Sequence, residues 1–216
     1  MPCRTEPFVS DGYYHIFNRG VEKRIIFSSE RDYQRFLHTL YYYQFAGPKP
    51  KFSTKDRFKM NDFNLNPKIV EIICYCLMPN HFHLLIKQLK DNGITEFLGK
   101  VINSYTKYYN TKHKRVGHLF QGTFKAVPIE TDVQFMHVSR YIHLNPYTSE
   151  ITNNLEDYPY SSYPHYIGLT KDKLCNSEII LRSFKDANDY KEFVSGNEDY
   201  GRELEHFKHS LLDPED

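Results

Sequence analysis

Cys74-Tyr75-Cys76-Leu77-Met78-Pro79-Asn80-His81-Phe82-His83-Leu84-Leu85-Ile86-Lys87 is the stretch whose reading decides the fold. Two β-rich runs, Lys68 to Met78 and His81 to Leu89, meet at the turn signal Pro79-Asn80, so the spacing predicts a β-hairpin. Side chains alternate faces along a strand, which sets His81 and His83 on one face and Phe82 and Leu84 on the other. Two neutral imidazoles on one side are half of a metal site. An isolated His-x-His is more often a pair of polar residues on a strand's wetter face, so the pair needs partners elsewhere in the chain.

Working outward, Gly12 to Gly20 reads as an aromatic-rich strand closed by a turn glycine. Ser29-x-x-Asp32 opens a helix with Tyr33, Phe36, Leu37, Leu40 and Tyr41 at helical spacing, ending before Gly47-Pro48. Residues 47–67 read as a polar loop. After the hairpin, Asn92-Gly93 begins a long amphipathic helix with Ile94, Phe97, Leu98, Val101, Ile102, Tyr105 and Tyr109 on one stripe and Lys100 and Lys107 off it. A strand is expected within Gly117 to Ile129. Thr131-x-x-Gln134 is a capping box for a further helix, which Pro146 is expected to stop. The order β, α, β, β, α, β, helix is the split βαβ pattern, an α+β ferredoxin- or RRM-like antiparallel sheet with helices packed on it and one face free for a ligand. Residues 1–150 form the main domain in this reading. Residues 151–216 are a small, mostly helical C-terminal extension, helical around Ser177–Phe184 and Asn188–Val194, with an acidic tail.

At 216 residues, 40% hydrophobic and 16% aromatic, the chain can bury a core and is not a disordered one. No run approaches a membrane span, and Met1-Pro2-Cys3-Arg4 lacks the apolar core of a signal peptide. Four scattered cysteines suit a reducing compartment, so a cytoplasmic protein is expected. The net charge of +1 hides an asymmetry: residues 171–216 hold 7 Lys+Arg against 12 Asp+Glu, net −5, leaving 21 against 15, net +6, in residues 1–170. Residues 94–125 carry Lys100, Lys107, Lys112, Lys114, Arg115 and Lys125 against Glu96 alone, with Tyr105, Tyr108, Tyr109 and Phe120 interleaved. Basic groups for phosphates and aromatic faces for bases suit single-stranded nucleic acid, although a solvated helix face over core tyrosines has the same composition.

In Arg140-Tyr141-Ile142-His143-Leu144-Asn145-Pro146, Tyr141 and Asn145 stand at i and i+4 and share a helix face. Asn145 offers a hard amide oxygen and Tyr141 a phenol that can act as a nucleophile; taken without the histidine pair, these residues are more often a helix-end Tyr packed on the core with Asn145 at the C-terminal end before Pro146. His137 lies one turn before Tyr141 and is a candidate proton acceptor or a plain surface histidine. His143 lies about 200° round the helix from Tyr141, outside the site.

Met78 to Leu85, Gly117 to Lys125 and Arg140 to Pro146, in that order, resemble the successive signatures of single-tyrosine HUH transposases of the IS200-like kind. REP-associated tyrosine transposases are the nearest in pattern, their first strand ending in Asn-Arg-Gly as at Asn18-Arg19-Gly20. The resemblance covers residues 12 to about 168, including Ser161-Ser162-Tyr163. Phe120, Thr123 and Tyr147 stand where relatives often carry Trp, Arg and Val. It implies that residues 1–150 are the catalytic domain, that His81, His83 and Asn145 hold Mg²⁺ or Mn²⁺, and that Tyr141 is the nucleophile. It further implies a metal-dependent endonuclease and strand transferase acting on single-stranded DNA near hairpin-forming repeats, more in keeping with a monomer than a dimer. Arg19, Lys107, Lys112, Lys114, Arg115, Gln121, Lys125 and Arg140 are the expected DNA contacts. Two other readings stand beside it: a zinc-stabilised module built from Cys74, Cys76, His81 and His83, and a binder that grips DNA without cutting it.

The chemistry accounts for the residue types. A phosphodiester anion repels a nucleophile and has a poor leaving group; a divalent cation on a non-bridging oxygen offsets both. An unperturbed phenol costs about 4 kcal/mol to ionise at pH 7, so a nearby metal, base or water must lower that cost.

Overall fold

The computed structural model describes residues 7–47, 52 and 67–196. Cys3, most of the 47–67 loop and the acidic tail lie outside the described residues. In chain order the elements are β1 (Tyr13–Arg19), α1 (Glu30–Tyr43), β2 (Val70–Met78), β3 (His81–Gln88), α2 (Gly93–Lys112), β4 (Lys125–Ile129) and α3 (Asp132–Thr148). The four strands form one antiparallel sheet in the order β2-β3-β1-β4, so the α+β class read from the sequence is the observed one.

The hairpin closes at Pro79-Asn80, with Met78 opposite His81 and Cys76 opposite His83. Thr131 and Gln134 form the capping box that starts α3. Asn92 turns left-handed (φ 59) into α2. Gly93 follows it because a Cβ there would run into the Ile69 carbonyl. Gly20, at the end of β1, answers the same demand: a Cβ would collide with the Arg24 carbonyl.

Phe82 shows which helices cover which face. Its ring meets Phe36 of α1 at 5.2 Å, and Tyr105 of α2 packs edge-on against Phe36 at 5.0 Å. The α2 stripe read from the sequence is buried, with Ile94, Phe97, Leu98, Val101 and Tyr105 inside the core. The histidine face is not left free as expected. Helix α3 lies across part of it, because Phe135, Val138 and Ile142 are apolar and need burial of their own. Phe135 packs on Tyr13 of β1 at 4.8 Å.

Pro146 does not stop α3, which runs on to Thr148. A proline forfeits only its own N–H bond and strains the turn before it, and so close to the end little remains to lose. The Ser149 N–H still donates to the Asn145 carbonyl at 3.0 Å, and the Pro146 carbonyl accepts from the Ile151 N–H at 2.9 Å.

Among the described residues beyond 150 there are three short α-helices, α4 (Tyr163–Tyr166), α5 (Glu178–Leu181) and α6 (Ala187–Ser195), the last two in the stretches predicted to be helical. This segment runs along the outer edge of β2. Leu77 N–H donates to the Tyr160 carbonyl at 2.9 Å, Ser162 N–H to that of Tyr75 at 3.0 Å and Asn176 N–H to that of Ile72 at 2.8 Å. A sheet edge that would otherwise expose unpaired backbone groups is thereby covered. Among the described residues no helix is long and apolar enough to cross a membrane.

Candidate active site

Antiparallel pairing brings the separate motifs together. Arg19 stands opposite His81 and Phe17 opposite His83, so β1 and β3 present Phe17, Arg19, His81 and His83 on one face. Lys125 of β4 stands opposite Phe17 on that face, its Nζ 5.8 Å from the Phe17 ring. The Gly117–Lys125 motif meets the end of β1, where Gln121 N–H donates to the Arg19 carbonyl at 2.8 Å.

Tyr141, half-buried on α3, completes the cluster from above. Its ring is perpendicular to that of His83, with centroids 5.3 Å apart. His81 and His83 rings lie 5.0 Å apart at 89°. Each has one nitrogen engaged by the protein: His81 Nδ1 with Asn80 Oδ1 at 2.6 Å, His83 Nδ1 with His15 Nε2 at 3.0 Å. His83 is 4% exposed, and burial, reinforced by His81, His15 and Arg19, holds it well below the usual imidazole range. Burial thus favours the neutral imidazole, the form that ligates metals.

Asn145 is one turn beyond Tyr141 and 4% exposed. Its amide nitrogen donates to the Tyr141 carbonyl at 3.3 Å, which leaves the amide oxygen as its acceptor end. It makes no hydrogen bond to either histidine. The donor set fits a small divalent cation with open positions: with both Nδ1 atoms occupied, His81 and His83 would ligate through Nε2 and Asn145 through its oxygen.

The other expected contacts divide among different places. Arg19, Gln121 and Lys125 flank the cluster. Lys107 is exposed on α2 and, with Arg31, Arg35, Lys100 and Lys112, lines a groove of about 1260 Å³ between α1 and α2, on the side of the sheet away from the histidines. Lys112 is engaged by the buried Asp32, with Nζ 2.8 Å from both carboxylate oxygens. Arg115 braces the α2 terminus through Asn110 Oδ1 at 2.7 Å, next to the exposed Lys114. Arg140 is turned inward at 6% exposure, its guanidinium 5.3 Å from the Phe193 ring, so it joins α3 to α6 where a flanking phosphate contact was expected. His137 also packs on Phe193, at 5.9 Å, and His143 is fully buried.

His15 escaped the sequence reading. It is fully buried in β1, its ring 5.2 Å from His83 and 5.9 Å from Tyr141. The signal was present: two residues before Phe17 and four before Arg19, it shares their face by strand alternation. Without a register for β1 against β3, nothing tied that face to the histidine pair.

The zinc module loses its ligands. Among the described residues no three His, Cys, Asp or Glu side chains form a group able to hold a metal. Burial drives the Cys74 and Cys76 thiols up, away from the thiolate that zinc requires.

Residues 55–145 match the family model described as "Transposase IS200 like", a stretch that contains the Met78–Leu85 and Gly117–Lys125 motifs and ends at Asn145. Over 82% of this chain and 98% of the other, the fold matches the structure of a REP-associated tyrosine transposase bound to a REP hairpin, with a TM-score of 0.57 at 14% identity. A crystal structure from Deinococcus radiodurans R1 aligns over 66% of this chain and 95% of its own at 12% identity, with a TM-score of 0.35. No curated protein matches the chain.

Proposed function

We propose that this transposase-like protein is a metal-dependent single-stranded DNA endonuclease and strand transferase with Tyr141 as its nucleophile. The observation that carries the reading is the perpendicular packing of Tyr141 on His83 at 5.3 Å, with the imidazole pair and the phenol on one side of the sheet. A divalent cation bound there would neutralise a non-bridging phosphate oxygen and lower the cost of ionising a phenol beside it. His81 and His83 orient the ligand positions through Asn80 and His15, and α3 holds Tyr141 and Asn145 one turn apart. The Tyr141 oxygen attacks phosphorus and gives its proton to water. The bond from phosphorus to the 3′ oxygen breaks, that oxygen takes up a proton, and a 5′-phosphotyrosine remains. The phosphodiester energy is kept in the tyrosine ester, so a second 3′-hydroxyl can reverse the step and join a different end.

A hairpin-forming repeat is the proposed substrate class, supported by the hairpin bound to the structural neighbour. The groove between α1 and α2, basic through Arg31, Arg35 and Lys107, suits a phosphate backbone, and Lys125 and Arg19 suit the strand being cut.

Incubation with a hairpin-containing single strand and Mg²⁺ or Mn²⁺ is expected to yield a covalent protein–DNA band on a denaturing gel. Tyr141→Phe should abolish the band, and His81→Ala should abolish it while retaining most of the DNA affinity. A band that survives Tyr141→Phe would refute the assignment of the nucleophile.

A further inference from the structure

His15 and His83 share one hydrogen bond, Nε2 to Nδ1 at 3.0 Å, and both rings are buried. A hydrogen bond between two ring nitrogens needs one N–H and one lone pair, so a single proton lies between the rings and there are two arrangements. In one, His15 donates from Nε2, and His83 then carries its own proton on its Nε2, which cannot face a cation. In the other, His83 donates from Nδ1 and its Nε2 keeps a lone pair. Ligation through His83 Nδ1 is closed off, because that atom is already in the bond.

We infer that His15 is a positioning residue: by accepting the Nδ1 proton of His83 it fixes the tautomer whose Nε2 can ligate a divalent cation. This rests on the metal reading of the site and adds to it a residue that none of the motifs contains. His15 is not itself a ligand, since it forms no metal-holding group with His81 and His83. Its other nitrogen, Nδ1, is buried with no hydrogen-bond partner. Buried polar atoms left unsatisfied are rare and mark places where something else requires the group. Nδ1 is unpartnered in either arrangement; with Nε2 accepting, it is Nδ1 that carries the ring's proton. The arrangement parallels the hydrogen bond by which Asn80 Oδ1 orients His81, so each ligand imidazole has its own acceptor.

The test compares wild type, His15→Gln and His15→Leu for Mn²⁺ binding by calorimetry, without DNA. Gln places an amide oxygen where Nε2 stands, whereas Leu fills the space with no acceptor. His15→Leu is expected to bind Mn²⁺ about 10- to 100-fold more weakly, and His15→Gln close to wild type. Equal affinity in all three, or equal losses in Leu and Gln, would overturn the role of His15. Should His15→Leu fail to fold, ring ¹⁵N spectra of the Mg²⁺-loaded wild type decide: His15 protonated at Nδ1 supports the proposal and His15 protonated at Nε2 overturns it. Wild type that takes up no Mn²⁺ would overturn the metal reading itself, and this proposal with it.

Discussion

Asp32 has no solvent exposure, yet it carries a charge that ties two helices together. Burial by itself would raise its carboxyl, but Lys112, Tyr108, Ser28 and Ser29 outweigh that and hold it at about 2, below its ordinary 3.8. A depressed carboxylate stabilises the fold above its unfolded value, and the contribution is lost as pH falls from about 4 through about 2; it amounts to about 2 kcal/mol. Asp32→Asn is expected to forfeit roughly the same amount at neutral pH. Urea unfolding would show this as a lower midpoint, and an unchanged midpoint would contradict it. From the sequence, Asp32 was legible only as a residue of the α1 start signal; its link to Lys112, 80 positions away, needs the helix pairing. The same limit separates His81, His83 and Tyr141, which local motifs reveal, from His15, which depends on strand register. It also explains Lys112 and Arg140: charge composition says that a side chain is basic, not which partner has claimed it.

Helix α3 is held from behind. His143, on the side away from Tyr141, spans Tyr190 Oη at 2.7 Å and Ser162 Oγ at 2.8 Å, and Ser162 Oγ accepts from the Tyr75 N–H at 2.9 Å. Thus α3, α6 and β2 meet on one buried imidazole, which burial lowers to about 3. A histidine kept neutral in the fold charges more readily when unfolded, so its contribution stands above about pH 6.5 and falls by about 1.4 kcal/mol per pH unit between there and about pH 3. His143→Gln should flatten the dependence of unfolding free energy on pH across that window by about that slope. Denaturant titrations at pH 7, 6 and 5 would show it; parallel curves for the two proteins would contradict it. Helical periodicity excluded His143 from the site, and the structure supplies the reason it is there. The overrun past Pro146 was not legible, because the proline rule describes helix interiors and this proline lies in the last turn.

At the scale of the molecule, the sheet order β2-β3-β1-β4 divides the work between two faces. One carries α1, α2 and the basic groove; the other carries the histidines under α3. The order of elements was readable from turn signals and periodicity, and with it the fold class. The partition of faces was not, since it follows from where α3 lands. That landing turns a phenol remote in sequence into a neighbour of His83. The central claim is that this one phenol, among 18 tyrosines, forms the bond to DNA. Mass spectrometry of the covalent adduct, after nuclease and protease digestion, tests it most directly. A 5′-phosphonucleotide on the peptide containing Tyr141 is the predicted result; the same mass on any other tyrosine, with Tyr141 unmodified, would contradict the account.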